Sequence, residues 1–390
     1  MGRASTSEPL SDAALMRWRL IADFQERLER HLSPGLAAGT WSDPQRQLQS
    51  IDYLSLFLLG LFNPVVRTMR GLCAASDLPR VQEEVCRRHV SLGSFSEAQA
   101  LIEPQLLQNI FAELSQQVLA RTGPSVQNAR RWLIQDSSLF EALPRMHWAL
   151  WRRQHKTQAQ VRLHLSLDLD SQAPAQAGVT AGKVCERKEW KRALRRGDAT
   201  IGDRYYGENY KLLEELHQRG VVFVVRLRDQ ATLEVEQELT LSPAEHAAAV
   251  IQDAWVRLGC KERYQIGRVR LVRVQTPKEV LLLATNLKPE ELSAAEVALL
   301  YKERWRIELF FRWIKCILGC RHWLAESPQG AALQIYLALI AALLLQLYTE
   351  ERPNRRLMEL LQFYAMGWAT ADDLMAGVQR EQGKAERKKK

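Results

Sequence analysis

The rhythm of hydrophobic and polar positions changes after Pro124 and divides the chain there. Before that point, residues 11–121 read as helical almost throughout, because good helix formers dominate. Breaks fall at Ser33-Pro34-Gly35, Asn63-Pro64, Leu78-Pro79 and Ser91–Ser94. Ser94-Phe95-Ser96-Glu97 has capping-box spacing and predicts a helix through Ile102, and Pro79–Val90 predicts a short helix before it. Together they would form a helix-turn-helix hairpin near residues 79–102, a motif also common in proteins that never touch DNA.

Beyond Pro124 the pattern becomes that of an α/β core. Arg131–Ile134 runs into bulky residues, and Asp136 follows as the end of a first strand. Val161–Leu169 alternates Val and Leu against Arg, His, Ser and Asp, a period-two strand. Ala173–Thr180 is a weaker strand, Lys188–Arg195 a helix, Thr200–Asp203 a short strand, Tyr210–Arg219 a helix and Val221–Leu227 a buried strand. Three strands, helix, strand, helix, strand and then a distant helix is the order of a mixed sheet with helices.

Residues 229–286 read as a mainly β insertion, with strands at Thr232–Leu241, Gly267–Val274 and Val280–Ala284 and a helical interlude at Pro243–Gln252. Helix returns over Ser293–Leu318, followed by a buried helix at Leu333–Leu347 and a last helical segment before the basic tail Lys384–Lys390, expected to be disordered. The resulting division is a helical region 1–125, a core in two parts (126–228 and 289–350), a β-rich insertion 229–288 and a C-terminal segment 351–390.

Composition narrows the class. The 390 residues carry 54 Lys and Arg against 45 Asp and Glu, a net charge of +9. Residues 1–150 are balanced at 15 basic and 15 acidic, whereas 151–200 carry 11 basic and 5 acidic, so the surplus is concentrated. Such a run suits a polyanionic partner or a solvated basic face. Six scattered cysteines build no disulfide framework, and Cys316, Cys320 and His322 lack a fourth zinc ligand at finger-like spacing. The apolar runs Tyr53–Phe62 and Ile335–Leu345 fall short of the roughly 18 residues a bilayer span needs, and the first thirty residues have no signal-peptide pattern. The expectation is a soluble, cytoplasmic chain with no membrane contact.

Candidate chemistry sits in the acids at element ends. Asp136 and Asp203 each close a strand; Asp168 and Asp170 read as an ordinary polar strand face and Asp198 as a turn residue. At about 100° per residue, Tyr301, Arg304, Glu308, Arg312 and Lys315 share a stripe about 80° wide on one helix, with Ile307, Phe310, Phe311, Trp313 and Ile314 on the packing side. Taken alone, that stripe also fits a salt-bridged solvent face.

Tyr301-x2-Arg304-x3-Glu308-x6-Lys315 resembles the signature of the insertion-sequence-four family of DDE transposases in all four residues and all three gaps. Gln135-Asp136-Ser137-Ser138, Asp203-Arg204-Tyr205-Tyr206-Gly207 and Thr285-Asn286-Leu287 agree with it, over about residues 90–350; Gly202 stands where the family shows a bulkier apolar run. The resemblance implies a ribonuclease-H-like catalytic core with a β insertion between the second Asp and the Glu. It implies that Asp136, Asp203 and Glu308 are catalytic and hold two Mg²⁺ ions (or Mn²⁺), hard cations suited to oxygen ligands. Arg304 and Lys315 would bind phosphates flanking the cut, with Tyr301, Arg312, Arg195 and Arg196 as further DNA contacts. Trp305 and Trp323 are candidates for stacking an unpaired base, although core packing is the simpler role for each. The expected partners are the terminal inverted repeats, target DNA and a second copy of the chain on DNA, with no small-molecule substrate, in the nucleoid of a bacterium. The helical N-terminal region would bind DNA ends. Two alternatives remain: a transposase-derived DNA-binding protein and a generic ribonuclease-H-like nuclease.

Overall fold

The structure is a computed structural model that describes residues 19–32, 48–122, 130–153, 156–260, 263–318, 322–366 and 368–389. The expected breaks at Ser33-Pro34-Gly35 and Pro124, and Cys320 with them, lie outside the described residues.

Helices α1 (Arg19–His31), α2 (Ser50–Phe62), α3 (Met69–Ala75), α4 (Pro79–Glu84), α5 (Leu92–Ala98) and α6 (Pro104–Thr122) precede the first strand. Apolar residues surround α2, and all of it except Gly60 is buried. The cap of α5 is Ser91, whose hydroxyl accepts from Ser94 N at 3.1 Å, so this helix starts before the Ser94 box and stops short of Ile102. Helix α4 likewise ends at Glu84, and Val90 N donates to Ser76 Oγ (2.9 Å), tying the turn and bends that follow back to the end of α3. The hairpin expected at 79–102 is therefore two very short helices.

Next come β1 (Trp132–Glu141), β2 (Leu150–Arg153), β3 (Lys156–Asp168), β4 (Pro174–Ala181), α7 (Glu186–Ala193), β5 (Ala199–Gly202), α8 (Arg204–Gly207), α9 (Tyr210–Gln218) and β6 (Val222–Arg226). Strand β1 pairs antiparallel with β3 and parallel with β5, β5 runs parallel to β6, and β4 lies along β3. The core is thus a mixed sheet with helices. Strand β1 is longer than its apolar run, because its outer half pairs with β3 as far as Glu141, and Asp136 lies within the strand opposite Leu165.

The chain then adds β7 (Leu233–Glu238), α10 (Pro243–Ala247), β8 (Val250–Cys260), β9 (Arg263–Gln275) and β10 (Val280–Thr285). Strand β10 joins β6 antiparallel and is followed by β9, β8 and β7, so these strands prolong the same ten-stranded sheet. The helical reading through Gln252 fails because α10 stops at Ala247. Ala249 adopts a left-handed φ of 60°, and pairing with β9 makes the residues from Val250 a strand. Asn286 fastens this extension to the core: its side chain donates to Val221 O (2.8 Å) and accepts from Phe223 N (3.0 Å). Arg270, fully buried, grips Asp253 with two hydrogen bonds (2.8 and 2.6 Å) and donates to Leu292 O.

Helices α11 (Ala294–Lys302), α12 (Trp305–Leu318), α13 (Pro328–Thr349), α14 (Arg355–Ala365) and α15 (Ala371–Lys389) complete the chain. The single helix expected over Ser293–Leu318 is broken at Glu303 and Arg304. There Arg304 N bonds Tyr301 O (3.1 Å), Arg306 N bonds Glu303 O (3.0 Å) and Ile307 N bonds Arg304 O (3.3 Å), a turn tightened to 3₁₀ spacing. The apolar run inside α13 belongs to a 22-residue helix long and apolar enough to cross a membrane, yet its apolar window lies wholly inside the protein, against α2, α6, β4 and α12. The tail is helical up to Lys389. Thr370 and Asp373 cap α15 reciprocally, and its Gln, Arg, Glu and Lys residues are good helix formers.

Candidate active site

Strand register brings the two aspartates together. Ile134 faces Ile201 across the parallel β1–β5 pair, so Asp136 and Asp203, each two residues further on, stand level at the end of β5. Asp203 accepts from Tyr205 N (2.9 Å) and is the N-cap of α8. The glycines around it set this turn. A Cβ on Gly202 would lie 3.3 Å from Tyr206 and from Val225, so the small residue in place of a bulkier one lets Tyr206 fold back over the strand end. A Cβ on Gly207 would sit 2.0 Å from Arg226 O, so only glycine lets α8 lie this close to β6.

Helix α12 packs against β1 and brings up Glu308. The arginine at the helix break joins the acids: Arg304 donates to Glu308 Oε1 (2.6 Å) and lies 3.8 Å from Asp136 Oδ2. Its guanidinium is 6.0 Å from the centre of the buried Tyr301 ring. Burial pushes the Asp136 carboxyl up to about 7, and the charges of Asp203 and Glu308 add to this, against Arg304 and the Ser137 N–H. Burial likewise raises the Tyr301 phenol, with Arg304 acting against it. A cluster of carboxylates in which one is held near neutrality is a place where further positive charge is favoured. All three supply hard oxygens, the donor chemistry of Mg²⁺ or Mn²⁺. Among the described residues, no three Asp, Glu, His or Cys side chains are close enough as they stand to hold a metal ion. Arg304 takes up a Glu308 oxygen and the Tyr205 N–H takes up an Asp203 oxygen.

Residues 128–344, which contain both aspartates and Glu308, match the transposase DDE domain family. The chain belongs to that family. It is 30% identical over 217 residues to a protein of Sinorhizobium fredii named as a transposase, across 55% of this chain and 60% of the relative. It is 27% identical over 201 residues to a protein of Geobacillus stearothermophilus named as the transposase of an insertion-sequence element, across 50% of this chain and 51% of the relative. The chain therefore spans between half and three-fifths of the length of these two relatives. Among solved structures, a piggyBac transposase synaptic complex with hairpin DNA shows a loose likeness, with a TM-score of 0.46 and 11% identity over 96% of this chain and 80% of that one.

The other residues singled out within and beyond this transposase DDE domain fall in several places. Lys315 lies two turns past Glu308, with its ammonium 5.5 Å from the Phe140 ring centre. Arg312 is exposed and lies over Trp305, which is 49% exposed and not in the core. Trp323 is partly buried and donates to Glu141 O (2.7 Å). Arg195 and Arg196 are exposed; Arg195 lines a polar cavity of about 500 Å³ beside Asp136, and the Arg196 stem lies against Gly220. Asp168 is not on a solvent face: it is fully buried and accepts from the Ser171 N–H (2.8 Å) and hydroxyl (2.6 Å).

Sequence reasoning missed a polar group under α7. Arg162, nearly buried, donates to Ser137 Oγ (2.8 Å) and to Gly182 O (3.0 Å) and pairs with Glu186. Tyr206 OH reaches Glu186 at 3.5 Å, and burial, then Asp136 and Asp203, push its phenol far up. His164, bonded to Thr180 Oγ1 (2.8 Å), is pulled down to about 4 by burial and then by Arg162. Arg162 and His164 belong to the polar half of the β3 alternation; helix α7 covers that face, and nothing in the alternation itself announces the cover.

Proposed function

We propose that this protein is a transposase that cuts DNA at the ends of its own insertion sequence and joins them to target DNA, acting on a ribonuclease-H-like core with the Tyr-Arg-Glu-Lys signature of the insertion-sequence-four family. The observation that carries this reading is Asp136 on β1 standing level with Asp203 just past the end of β5, with Glu308 tied to Asp136 through Arg304, inside a transposase DDE domain. Asp136, Asp203 and Glu308 would hold two Mg²⁺ or Mn²⁺ ions. When bound, such ions polarise a phosphodiester and activate the attacking oxygen.

The chain's own groups do the rest. Arg304 is the cation already placed among the carboxylates. On binding of a DNA end its guanidinium turns from Glu308 to a phosphate oxygen, freeing Glu308 as a ligand. Tyr301, buried beneath it, fixes the direction of that fork. Lys315 binds a phosphate two helical turns further along the strand as a point charge. Arg195 and Arg196 contact the backbone on the other side of Asp136, and Arg312, one turn past Glu308, contacts the strand between Glu308 and Lys315. Joining two ends in one reaction calls for two copies of the chain on DNA, with the helical N-terminal region holding the ends.

The test uses purified protein, Mg²⁺ and DNA carrying the ends of its own element. The wild type should cut at the ends, and Asp136→Ala, Asp203→Ala and Glu308→Ala should each abolish cutting while DNA binding persists. A variant of the three that cuts near the wild-type rate refutes the assignment of that residue. Binding without cutting by the wild type would favour a DNA-binding derivative, and cutting irrespective of end sequence a generic nuclease.

A further inference from the structure

The polar residues behind the two aspartates form one connected group. In the β1–β3 register Ser137 stands opposite His164 and Leu139 opposite Arg162, so these side chains share the face of the sheet away from Asp136, whose partner is Leu165. Helix α7 covers that face. Arg162, only 9% exposed, spans it: the guanidinium donates to Ser137 Oγ (2.8 Å) and Gly182 O (3.0 Å) and pairs with Glu186, the first residue of α7. The other Glu186 oxygen faces Tyr206 OH at 3.5 Å, the long end of a hydrogen bond. Tyr206 is held from two sides, by the Trp190 ring of α7 at 4.5 Å and by its close approach to Gly202. The group therefore runs from the residue after Asp136, through Arg162 and Glu186, to the turn that Asp203 caps.

Packing of α7 does not call for this group, because the buried Trp190 and Leu194 already anchor the helix through apolar contact. A largely buried ion pair adds little net stability over apolar side chains of the same size, since both charges lose their hydration. What the pair supplies is direction: the guanidinium fork is rigid, and Arg162 turns it on three partners at once. That direction is needed here. The parallel β1–β5 ladder ends at Ile134 and Ile201, two residues short of both aspartates, so it does not by itself fix the spacing of their carboxylates. We propose that Arg162, Glu186 and Tyr206 are positioning residues that hold Asp136 and Asp203 at the separation a divalent cation needs, taking over where the ladder stops. The inference rests on the metal-site reading above and deepens it. Groups that orient metal ligands in this way change metal affinity or activity about 10–100-fold when they are altered.

The experiment titrates Mn²⁺ into the full chain with an element end bound and follows free Mn²⁺ by electron paramagnetic resonance, with the Mn²⁺ held by that DNA alone subtracted. Single-turnover cleavage against Mg²⁺ concentration and a metal-free thermal melt accompany it. The variants are Glu186→Gln, Ser137→Ala and Tyr206→Phe, with Asp136→Ala and Asp253→Ala for comparison. Glu186→Gln should raise the Mn²⁺ Kd about tenfold and the Mg²⁺ needed for half-maximal cleavage by a similar factor. Ser137→Ala should raise the Kd about fivefold and Tyr206→Phe about twofold, in the order of their hydrogen-bond lengths. Asp253→Ala breaks another buried pair, with Arg270 in the β extension, so it should lower the melting temperature and leave the Mn²⁺ Kd unmoved. Should Glu186→Gln fail to fold, Ser137→Ala and Tyr206→Phe decide. An unchanged Mn²⁺ Kd in the folded variants overturns the inference and leaves the metal site standing, provided Asp136→Ala abolishes binding. A Kd raised as much by Asp253→Ala overturns it too, since the effect would then be general loosening. Mn²⁺ binding that Asp136→Ala does not weaken overturns both the metal site and its positioning group. Weakened Mn²⁺ binding in the variants of a protein that cuts no ends would sustain the positioning role and reject the DNA-cutting reading.

Discussion

Gly207→Ala is a one-carbon change that reaches the second aspartate through the backbone. The added Cβ would lie 2.0 Å from Arg226 O and 2.9 Å from its carbonyl carbon, both main-chain atoms of β6 with no rotamer to yield. Ordinary carbon–oxygen contact is above 3 Å, so α8 must retreat by about 1 Å or the end of β6 must shift. Asp203 is the N-cap of α8, and its carboxylate is held by Tyr205 N, so a retreat of α8 carries the carboxylate with it. Overpacking of this kind destabilises by about 1–3 kcal/mol, and a 1 Å misplacement of a catalytic group slows reaction on the order of 100-fold. The expected result is therefore a melting temperature lower by a few degrees and a disproportionate loss in single-turnover cleavage of an element end. Gly93→Ala is the control, since its Cβ meets nothing within 4 Å. Wild-type cleavage by Gly207→Ala would refute the link between this close approach and the site. A rate loss matched by the unfolded fraction would reduce it to a matter of stability.

Four other outcomes can be checked. Arg304→Ala and Lys315→Ala should each slow single-turnover cleavage 100-fold or more; an early melt with proportionate loss would make the stripe a structural salt-bridge face. Asp253→Ala should destabilise by about 3–5 kcal/mol in urea melts by leaving Arg270 buried and unpaired, whereas Glu236→Ala, which breaks the exposed pair with Arg257, should cost under about 1 kcal/mol. His164 has a folded-state value near 4, below the ordinary 6.5, so between those pH values the unfolded chain binds a proton that the folded chain refuses, and stability falls as pH drops. Relative to His164→Gln, the wild type should lose about 1–2 kcal/mol more on going from pH 7.5 to 4.5, a figure discounted for partial solvent exposure, and an equal loss would reject the assignment. Replacing Arg195 and Arg196 with Ala should lower the salt slope of DNA binding by about one to two units, and an unchanged slope would make that run a solvated surface.

The elements legible in the sequence are those whose local pattern and tertiary setting agree. The alternation at Val161–Leu169 became β3, and the β-branched run after Val221 became β6, because each is buried as its period implies. Residues 250–260 were hidden behind the Ala-rich segment before them, whose helical preference gives way to pairing with β9. No proline or glycine marks the break at Glu303 and Arg304, so a straight helix was the natural reading. That break moves Tyr301 off the common stripe and under Arg304. The Arg304–Glu308 contact survives it, since four-residue spacing within one turn brings the two side chains together. The level placement of Asp136 and Asp203 depends on a parallel register between strands about 60 residues apart, which no local pattern records. Only the resemblance of the surrounding motifs joined them beforehand. Lysines and arginines in one stretch are visible as charge, whereas the gathering of Arg306, Arg312, Arg352 and Arg355 around one pocket beside α12 is assembled by the fold.

The central claim is that Asp136, Asp203 and Glu308 form one divalent-metal site. Fe²⁺ with ascorbate and peroxide cleaves a polypeptide beside bound iron, so it locates such a site on the intact chain. With an element end bound, the account predicts main-chain cuts near residues 136, 203 and 308 together, suppressed by excess Mg²⁺ and absent in Asp136→Ala. Cuts confined to other segments, or cuts at these three that persist in Asp136→Ala, would contradict it.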